Sequence, residues 1–391
     1  MGGGGAGTYA GPMTAPSPTR PRSSGWVLGH VGGSPVVLAP SWLLVALVLT
    51  VLFLPTVRAG APGLGTAATV AAAAGLPVLL AISVFLHELG HGLTARRLGI
   101  PVTEYVITFW GGHTQFDREL RTPGVSALVA VAGPAVNAAL GWLSWWAAVR
   151  TSGVPGLLLA ASAVANGFVA AFNLLPGLPL DGGRVLEAAV WKATGDRTRG
   201  LVVAAWAGRV IAVTCAVVGL GWPLLVGSRP TLAAVATVLL VAAFLWTGAG
   251  QTLKAVRSRQ AAARVDLIAL AGPALVVPLA APVTVLDQVP AGGAAVVVVD
   301  GAGRPVAIVD PVAAAQVPTH LRASTGVVAV SRPLPPVAVV PPLTGQAAVA
   351  AMTSLQHASP VAVVLDEATS PPLVRGVVAV AAVARALTAR P

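Results

Sequence analysis

The stretch "LLAISVFLHELGHGLTARRLGI", residues 79–100, sets two histidines and a glutamate in the middle of an apolar, helix-forming run. On a helix, residues four apart share a face, so His87 and His91 can offer imidazole nitrogens to one ion while Glu88 projects beside them toward a water. The H-E-x-x-H spacing is therefore that of a zinc site with a general base. The rival reading is a pair of core histidines with a satisfied carboxylate. It suits a lone intramembrane histidine but not three ionisable groups within five residues, because charge at mid-bilayer is costly and such residues mark function.

A catalytic zinc takes three protein ligands and keeps one position open. Asp181, in "FNLLPGLPLDGGRVLEA" (172–188), closes a nearly uncharged span. Pro176, Pro179, Gly182 and Gly183 around it break the helix and let its carboxylate turn inward. Taken alone, the same carboxylate would serve equally well as the cap of the helix that follows, with Arg184 and Glu187 in its first turns.

The elements that must hold these groups are membrane helices. Of 391 residues, 55% are hydrophobic and 9% charged, and apolar runs fall at 36–57, 66–97, 125–149, 154–175, 203–226 and 230–250. Most are close to the ~20 residues that a spanning helix needs. The chain is expected to be an α-helical polytopic membrane protein with about six transmembrane helices and both termini on one side. Gly75, Leu76 and Pro77 mark a kink or a boundary in the long second run.

The net charge of +11 reads as topology rather than nucleic-acid binding, since no dense basic patch with interleaved aromatics occurs. One set of loops holds Arg20, Arg22, Arg96, Arg97, Arg118, Arg121, Lys192, Arg197, Arg199, Lys254, Arg257 and Arg259. The other set holds Arg58, Arg150 and Arg229. By the positive-inside rule the richer set, both termini and the His87–His91 end of the second helix face the cytoplasm. The preference for Arg, Ala, Val and Gly points to a GC-rich bacterial genome, and hence to a bacterial cell membrane. Residues 1–35 are rich in Gly, Pro and Ser with no apolar core of a signal peptide, and are expected to form a disordered cytoplasmic tail. Cys215 has no partner and reads as a small buried residue.

Three motifs in order carry a family resemblance: His87, Glu88 and His91 in one helix, "GPAVN" (133–137) in the next, and "NLLPGLPLDGG" (173–183) after a further helix. Over residues 36–250 the chain resembles the site-2 protease family of intramembrane zinc metalloproteases. Soluble zincins and membrane-anchored ATP-dependent proteases also carry H-E-x-x-H, but the phosphate-cradling G-x-x-x-x-G-K-[ST] loop of the latter is missing here.

The resemblance implies that His87, His91 and Asp181 are zinc ligands and that Glu88 is the base that activates water. It implies that Asn137 and Asn173 line the cleft and hold substrate backbone, which inside a bilayer must find polar partners. The segment "TEYVITFWGGHTQFDREL" (103–120) reads as a hairpin-like re-entrant piece turning at Gly111-Gly112, and in this family such a segment offers a strand edge to an extended substrate. His113 stays open between an auxiliary polar residue, an inhibitory ligand and an ordinary loop histidine. The implied partners are the lipid bilayer and single-span membrane proteins such as anti-sigma factors, cleaved in regulated intramembrane proteolysis. A metal-binding transporter or scaffold is the competing class. A transporter would line a path across both leaflets, whereas here the ionisable groups gather at one depth.

After about residue 255 the pattern changes to short Val-rich strands broken by Pro and Gly: 294–300, 305–310, 326–330, 360–366 and 374–380. Two halves align loosely, each ending in a short helix. Residues 255–391 thus resemble a tandem pair of cystathionine-β-synthase-type (CBS) domains, a cytoplasmic α/β regulatory domain. The resemblance suggests nucleotide sensing, a homodimer through this domain, or substrate gating. The second half, "GVVAVAAVARAL", lacks the acidic residue that nucleotide-binding pairs use for ribose, and Asp310 in the first half comes early.

Overall fold

The computed structural model describes residues 23–289 and 293–388. The chain divides into two units, Met1–Thr252 and Leu253–Pro391.

In the first unit, β1 (Trp26–Val31) and β2 (Ser34–Leu38) form a hairpin that precedes α1 (Trp42–Gly60). Its two-residue turn needs positive φ at both positions, and Gly32 and Gly33 supply it at 56° and 87°. This corrects the expectation of a disordered tail over 1–35. From Trp26 onward the chain is a strand pair, because Val36 and Val37 bury their side chains and Arg96 donates to the Val31 and Gly32 carbonyls. Residues 1–22 of that expected tail lie outside the described residues. The first apolar run accordingly splits, and its helix begins only at Trp42.

Helix α2 (Thr66–Arg97) runs unbroken past Pro77, so the Gly75–Pro77 segment is neither a boundary nor a helix end. Pro77 removes a single ladder bond, and an apolar surrounding offers no water to compete for the rest. β3 (Val102–Thr108) and β4 (Gly111–Phe116) then pair antiparallel, giving the sheet order β1-β2-β3-β4. The expected hairpin at 103–120 is thus present, but it turns at Phe109-Trp110 rather than at Gly111-Gly112, which are paired residues of β4. Tyr105 is fully buried against Phe85 and Leu89 of α2, which holds the sheet on that helix.

Helix α3 (Pro123–Ala148) starts with Pro123 at its first position and with the Thr122 hydroxyl accepting from the Val125 N–H. α4 (Gly153–Asn173) follows, then the amphipathic α5 (Asp181–Thr194), α6 (Arg197–Leu225) and α7 (Leu232–Ala263). The Asp196 carboxylate caps α6, and Gly195 in the left-handed region ends α5. Among the described residues six helices are long and apolar enough to cross a membrane: α1, α2, α3, α4, α6 and α7.

The second unit repeats one supersecondary order. In the first copy, after α8 (Leu267–Leu270), come β5 (Ala274–Pro278), a 3-10 turn, β6 (Ala295–Val299), β7 (Pro305–Val309) and α9 (Pro311–Ala315), with β8 (Ser331–Pro333) added at the edge. The second copy is β9 (Val339–Val340), α10 (Gly345–Ser354), β10 (Val361–Asp366), β11 (Leu373–Ala379) and α11 (Val380–Thr388). In both copies the first strand lies parallel to the second and the second and third pair antiparallel. Each copy has its own aliphatic core, and Val297, Val299 and Val363 join them. The stretch 326–330, read as a strand, is instead a 3-10 turn at Val327–Val330 leading into β8.

Candidate metal centre

Two helices, α2 and α5, bring the ionisable residues together. On α2, His87 and His91 point the same way with their Nε2 atoms 3.1 Å apart, as four-residue spacing requires. An Asp181 carboxylate oxygen lies 3.1 Å from His87 Nε2 and 3.4 Å from His91 Nε2. The three ligand atoms all fall within 4.8 Å of one another. His87, Glu88 and His91 are all buried, with 6–7% of their surfaces exposed.

The outer nitrogens are committed elsewhere, which turns both Nε2 lone pairs inward. His91 Nδ1 donates to the Val129 carbonyl at 2.7 Å, and His87 Nδ1 donates to the Asn137 side-chain oxygen. Asn137 is itself fixed: its amide nitrogen donates to Ser83 Oγ at 2.9 Å and to Asn166 Oδ1 at 2.8 Å. Ser83 Oγ also donates to Asn166 Oδ1. The sequence expectation singled out Asn137 for substrate; the structure sets it behind His87, although it also reaches the wall of a cavity. Ser83 and Asn166 were missed altogether. Each is an ordinary polar residue in a largely apolar helix, and only the fold brings them together.

Two glycines allow α3 to approach this closely. A Cβ on Gly133 would stand 2.3 Å from His91 Nε2 and 2.6 Å from His87 Nε2. A Cβ on Gly90 would meet the Ala132 carbonyl at 3.0 Å. The first residue of "GPAVN" thus makes room at the histidines themselves.

Asp181 arrives through a non-helical turn after α4. The Leu178 N–H donates to the Ala204 carbonyl of α6 at 3.0 Å, and a Cβ on Gly208 would lie 1.9 Å from the Leu178 oxygen. Pro176 and Pro179 form the break as expected, with Gly177 between them, whereas Gly182 and Gly183 do not break the helix. Gly182 and Gly183 lie inside α5, where Cβ atoms would strike the Leu174, Leu175 and Gly177 backbone. The cap reading of Asp181 does not hold: Leu180 occupies the cap position without a side-chain hydrogen bond, and Asp181, the first residue of α5, turns its carboxylate to the histidines. Glu187, nearly two turns further on, is buried and accepts from Arg197 Nε at 2.9 Å.

Two cavities reach the cluster. The smaller, about 170 Å³, is lined by Glu88, His91, Gly112, His113, Thr114, Ser126, Asp181 and Arg184 among others. The larger, about 400 Å³, takes in His87, Glu88, Gly111, Gly112, Asn137, Asn173 and Asp181 together with aromatic side chains. Gly112 lies directly against Glu88, where a Cβ would stand 2.4 Å from Glu88 Cγ, and Gly111 has φ 110°. The Thr114 hydroxyl donates to Glu88 Oε2 at 2.7 Å. Thr114 was not foreseen, since threonine in a β-run reads as strand propensity. His113 lines the smaller cavity and stands opposite Val106 on β3.

Two imidazole nitrogens and one carboxylate oxygen, buried and convergent, form a donor set of the kind that zinc takes. Glycine at 133 and outward-bonded Nδ1 atoms are the features such an ion requires.

The membrane part of the chain matches Peptidase family M50. The matched residues are 76–164 and 152–218, which include all four of His87, Glu88, His91 and Asp181. The chain is 39% identical over 152 residues to the putative zinc metalloprotease Rip3 of Mycobacterium tuberculosis, covering 38% of this chain and 39% of that protein. It is 35% identical over 208 residues to a putative zinc metalloprotease of Synechocystis, covering 50% and 49%. A zinc metalloprotease of Methanocaldococcus jannaschii is 30% identical over 188 residues, covering 46% and 49%. The chain thus matches at most about half the length of these curated relatives. A solved site-2 protease from the same archaeon shares 25% identity, covering 59% of this chain and 95% of that one, with a TM-score of 0.41.

Proposed function

We propose that this chain is an intramembrane zinc endopeptidase that hydrolyses peptide bonds in or near transmembrane segments of membrane proteins. The observation that carries the reading is the convergence of His87, His91 and Asp181 beside Glu88 on cavities bordered by membrane-length helices and one strand edge. The match to Peptidase family M50 supports the same chemistry.

His87, His91 and Asp181 hold the metal, which when bound polarises a carbonyl and lowers the pKa of water toward neutrality. Glu88 takes a proton from the attacking water and delivers it to the leaving amine nitrogen as the C–N bond breaks. Thr114 fixes the orientation of the Glu88 carboxylate during both transfers. β4 is the last strand of its sheet, so its free backbone groups can pair with an extended substrate segment, and Gly112 lets that segment approach Glu88. Asn173 and the rim of the larger cavity supply further polar partners for the unwound peptide.

The finer reading is cleavage of single-span proteins such as anti-sigma factors in a bacterial cell membrane, with both termini cytoplasmic and the reaction serving regulated intramembrane proteolysis. The second unit is read as a tandem CBS-like regulatory domain, supported by the order of three strands and a closing helix that recurs in both copies, with the first two strands parallel and the next pair antiparallel. A homodimer through that unit and nucleotide binding are part of this proposal. Asp310, the candidate ribose ligand, already accepts from the Val312 N–H and pairs with Arg332, which favours a structural role. Titration of the full chain with ATP and AMP decides this point, and absence of heat removes nucleotide sensing. The central test is co-expression with tagged single-span proteins, comparing Glu88→Gln for cleavage and Asp181→Ala for zinc content. Equal cleavage by the first variant, or unchanged zinc in the second, would refute the assignment.

A further inference from the structure

Arg209 is an ionisable residue in a membrane-length helix that the peptidase site does not use. It lies six residues beyond Val203, where the apolar run of α6 begins, or roughly 9 Å along the axis at helical rise. Its guanidinium stands 5.0 Å from the ring of Trp206 and 4.7 Å from that of Trp246 on α7. Trp206 is three residues nearer the start of the helix, so the side chain runs toward the closer membrane boundary. Both tryptophans are about half exposed on the outside of the bundle. Arg209 makes no hydrogen bond or ion pair with any described residue, and its Nε is buried without a partner.

Two aromatic faces offset part of the desolvation of a guanidinium, but they leave its N–H donors unfilled. A cation at this depth calls for an anion. No described acidic side chain provides one, and half-exposed tryptophans are characteristic of the headgroup level of a membrane. We propose that Arg209, flanked by Trp206 and Trp246, binds the phosphate of an anionic phospholipid at the seam between α6 and α7. A net-negative headgroup fits better than a choline headgroup, whose own ammonium competes for the phosphate. The same two helices close on the turn before Asp181, through Gly208 against Leu178 and Gly248 against Pro179. The bound lipid would therefore brace the metal site from behind. The lipid assignment itself does not depend on the peptidase reading.

The test uses the purified full chain in detergent micelles doped with dioleoylphosphatidylglycerol or dioleoylphosphatidylcholine, read by native mass spectrometry. The wild type should retain phosphatidylglycerol over phosphatidylcholine by roughly fivefold, the preference one basic residue near an anionic headgroup confers. Arg209→Gln should abolish that preference, while Arg58→Gln, at an exposed arginine in the last turn of α1, should leave it intact. An undiminished preference in Arg209→Gln overturns the proposal. So does displacement of the lipid by equimolar inorganic phosphate, which would make the site one for free phosphate. If Arg209→Gln fails to fold, photocrosslinking of wild-type protein with a headgroup-diazirine phosphatidylglycerol decides. Crosslinks should map to residues 201–215 or 240–250, and crosslinks confined elsewhere overturn the assignment.

Discussion

The two units bury opposite things. Among the described residues every buried polar or charged side chain except Ser359 lies in the first unit, the one rich in membrane-length helices. The second unit fills its cores with Val, Ala, Leu and Met and keeps its carboxylates out of them, with Asp287, Asp310 and Asp366 paired with arginines. A region surrounded by lipid has no water with which to repair a mistake, so each buried polar group there needs a partner. His87, Asn137, Ser83 and Asn166 form a connected chain of such partners. This network of polar groups in the first unit therefore serves the site, whereas apolar packing in the second serves the fold.

The sharpest way to break that contrast is to alter the polar groups and watch for chemistry without loss of fold. Glu88→Gln should lower peptide hydrolysis by about 10²–10⁴, the usual worth of a positioned general base, while zinc content and helix content stay unchanged. Asp181→Ala should instead lose the metal. The matching change in the second unit is Leu267→Ala, at a fully buried position. It should destabilise that unit by about 2–5 kcal/mol, seen as faster hydrogen exchange across 253–388, and leave zinc content as in the wild type. If Leu267→Ala stripped the zinc, the division between the two roles would fail.

Two finer substitutions sharpen the role of the buried network. Asn137→Ala removes the acceptor on His87 Nδ1 and should weaken zinc affinity by about 10–100-fold, as loss of a ligand's outer partner does, measured by competition with a chromogenic chelator. Intact affinity with a raised KM would assign Asn137 to the substrate instead. Thr114→Val leaves the metal alone and frees the Glu88 carboxylate. The rate should fall by roughly tenfold, equivalent to one hydrogen bond to a charged group, with KM held.

These partners divide along the line between what a sequence carries and what only folding assembles. His87, Glu88 and His91 were legible because their spacing is local to one helix. Asp181 stood out because prolines and glycines surround it in an apolar run, but only the family resemblance favoured a ligand over a helix cap. The six membrane helices followed from run length alone. Ser83, Asn166 and Thr114 were not legible, since each is an unremarkable polar residue until α2, α4 and β4 are side by side. Gly133 and Gly208 were equally silent, because a need for glycine arises from the approach of another backbone, which no local pattern records. The strand pair at 26–38 was obscured by flanking Gly, Pro and Ser, although its Gly32-Gly33 turn between valines was in view. The strand read at 326–330 failed for the opposite reason, as β-branched composition cannot distinguish a strand from a short 3-10 turn that buries Val327 and Val330.

The smallest expected effect belongs to the surface pairs of the second unit, and its pH dependence tests whether they matter at all. Arg332 beside Asp310 holds that carboxyl below its ordinary range, with help from the Val312 N–H. Arg375 and the Ala368 N–H do the same for Asp366. Each folded-state value is lower than that of the unfolded chain, which for aspartate is about 3.9. As pH falls the unfolded state therefore takes up protons first. The contribution is fully present above the unfolded value and is lost as pH falls through the lowered folded one. Both carboxylates are solvent-accessible, so salt screens the pairs and the gain is slight. Asn at either position keeps a side-chain oxygen for the backbone N–H and removes only the charge. The Asp310→Asn, Asp366→Asn double variant should thus unfold its second unit at a slightly lower temperature at pH 7 and low salt. The difference should shrink near pH 3 and in high salt. A deficit that is the same under all these conditions would place the carboxylates' worth in geometry rather than charge, and would bring the second unit closer to the first.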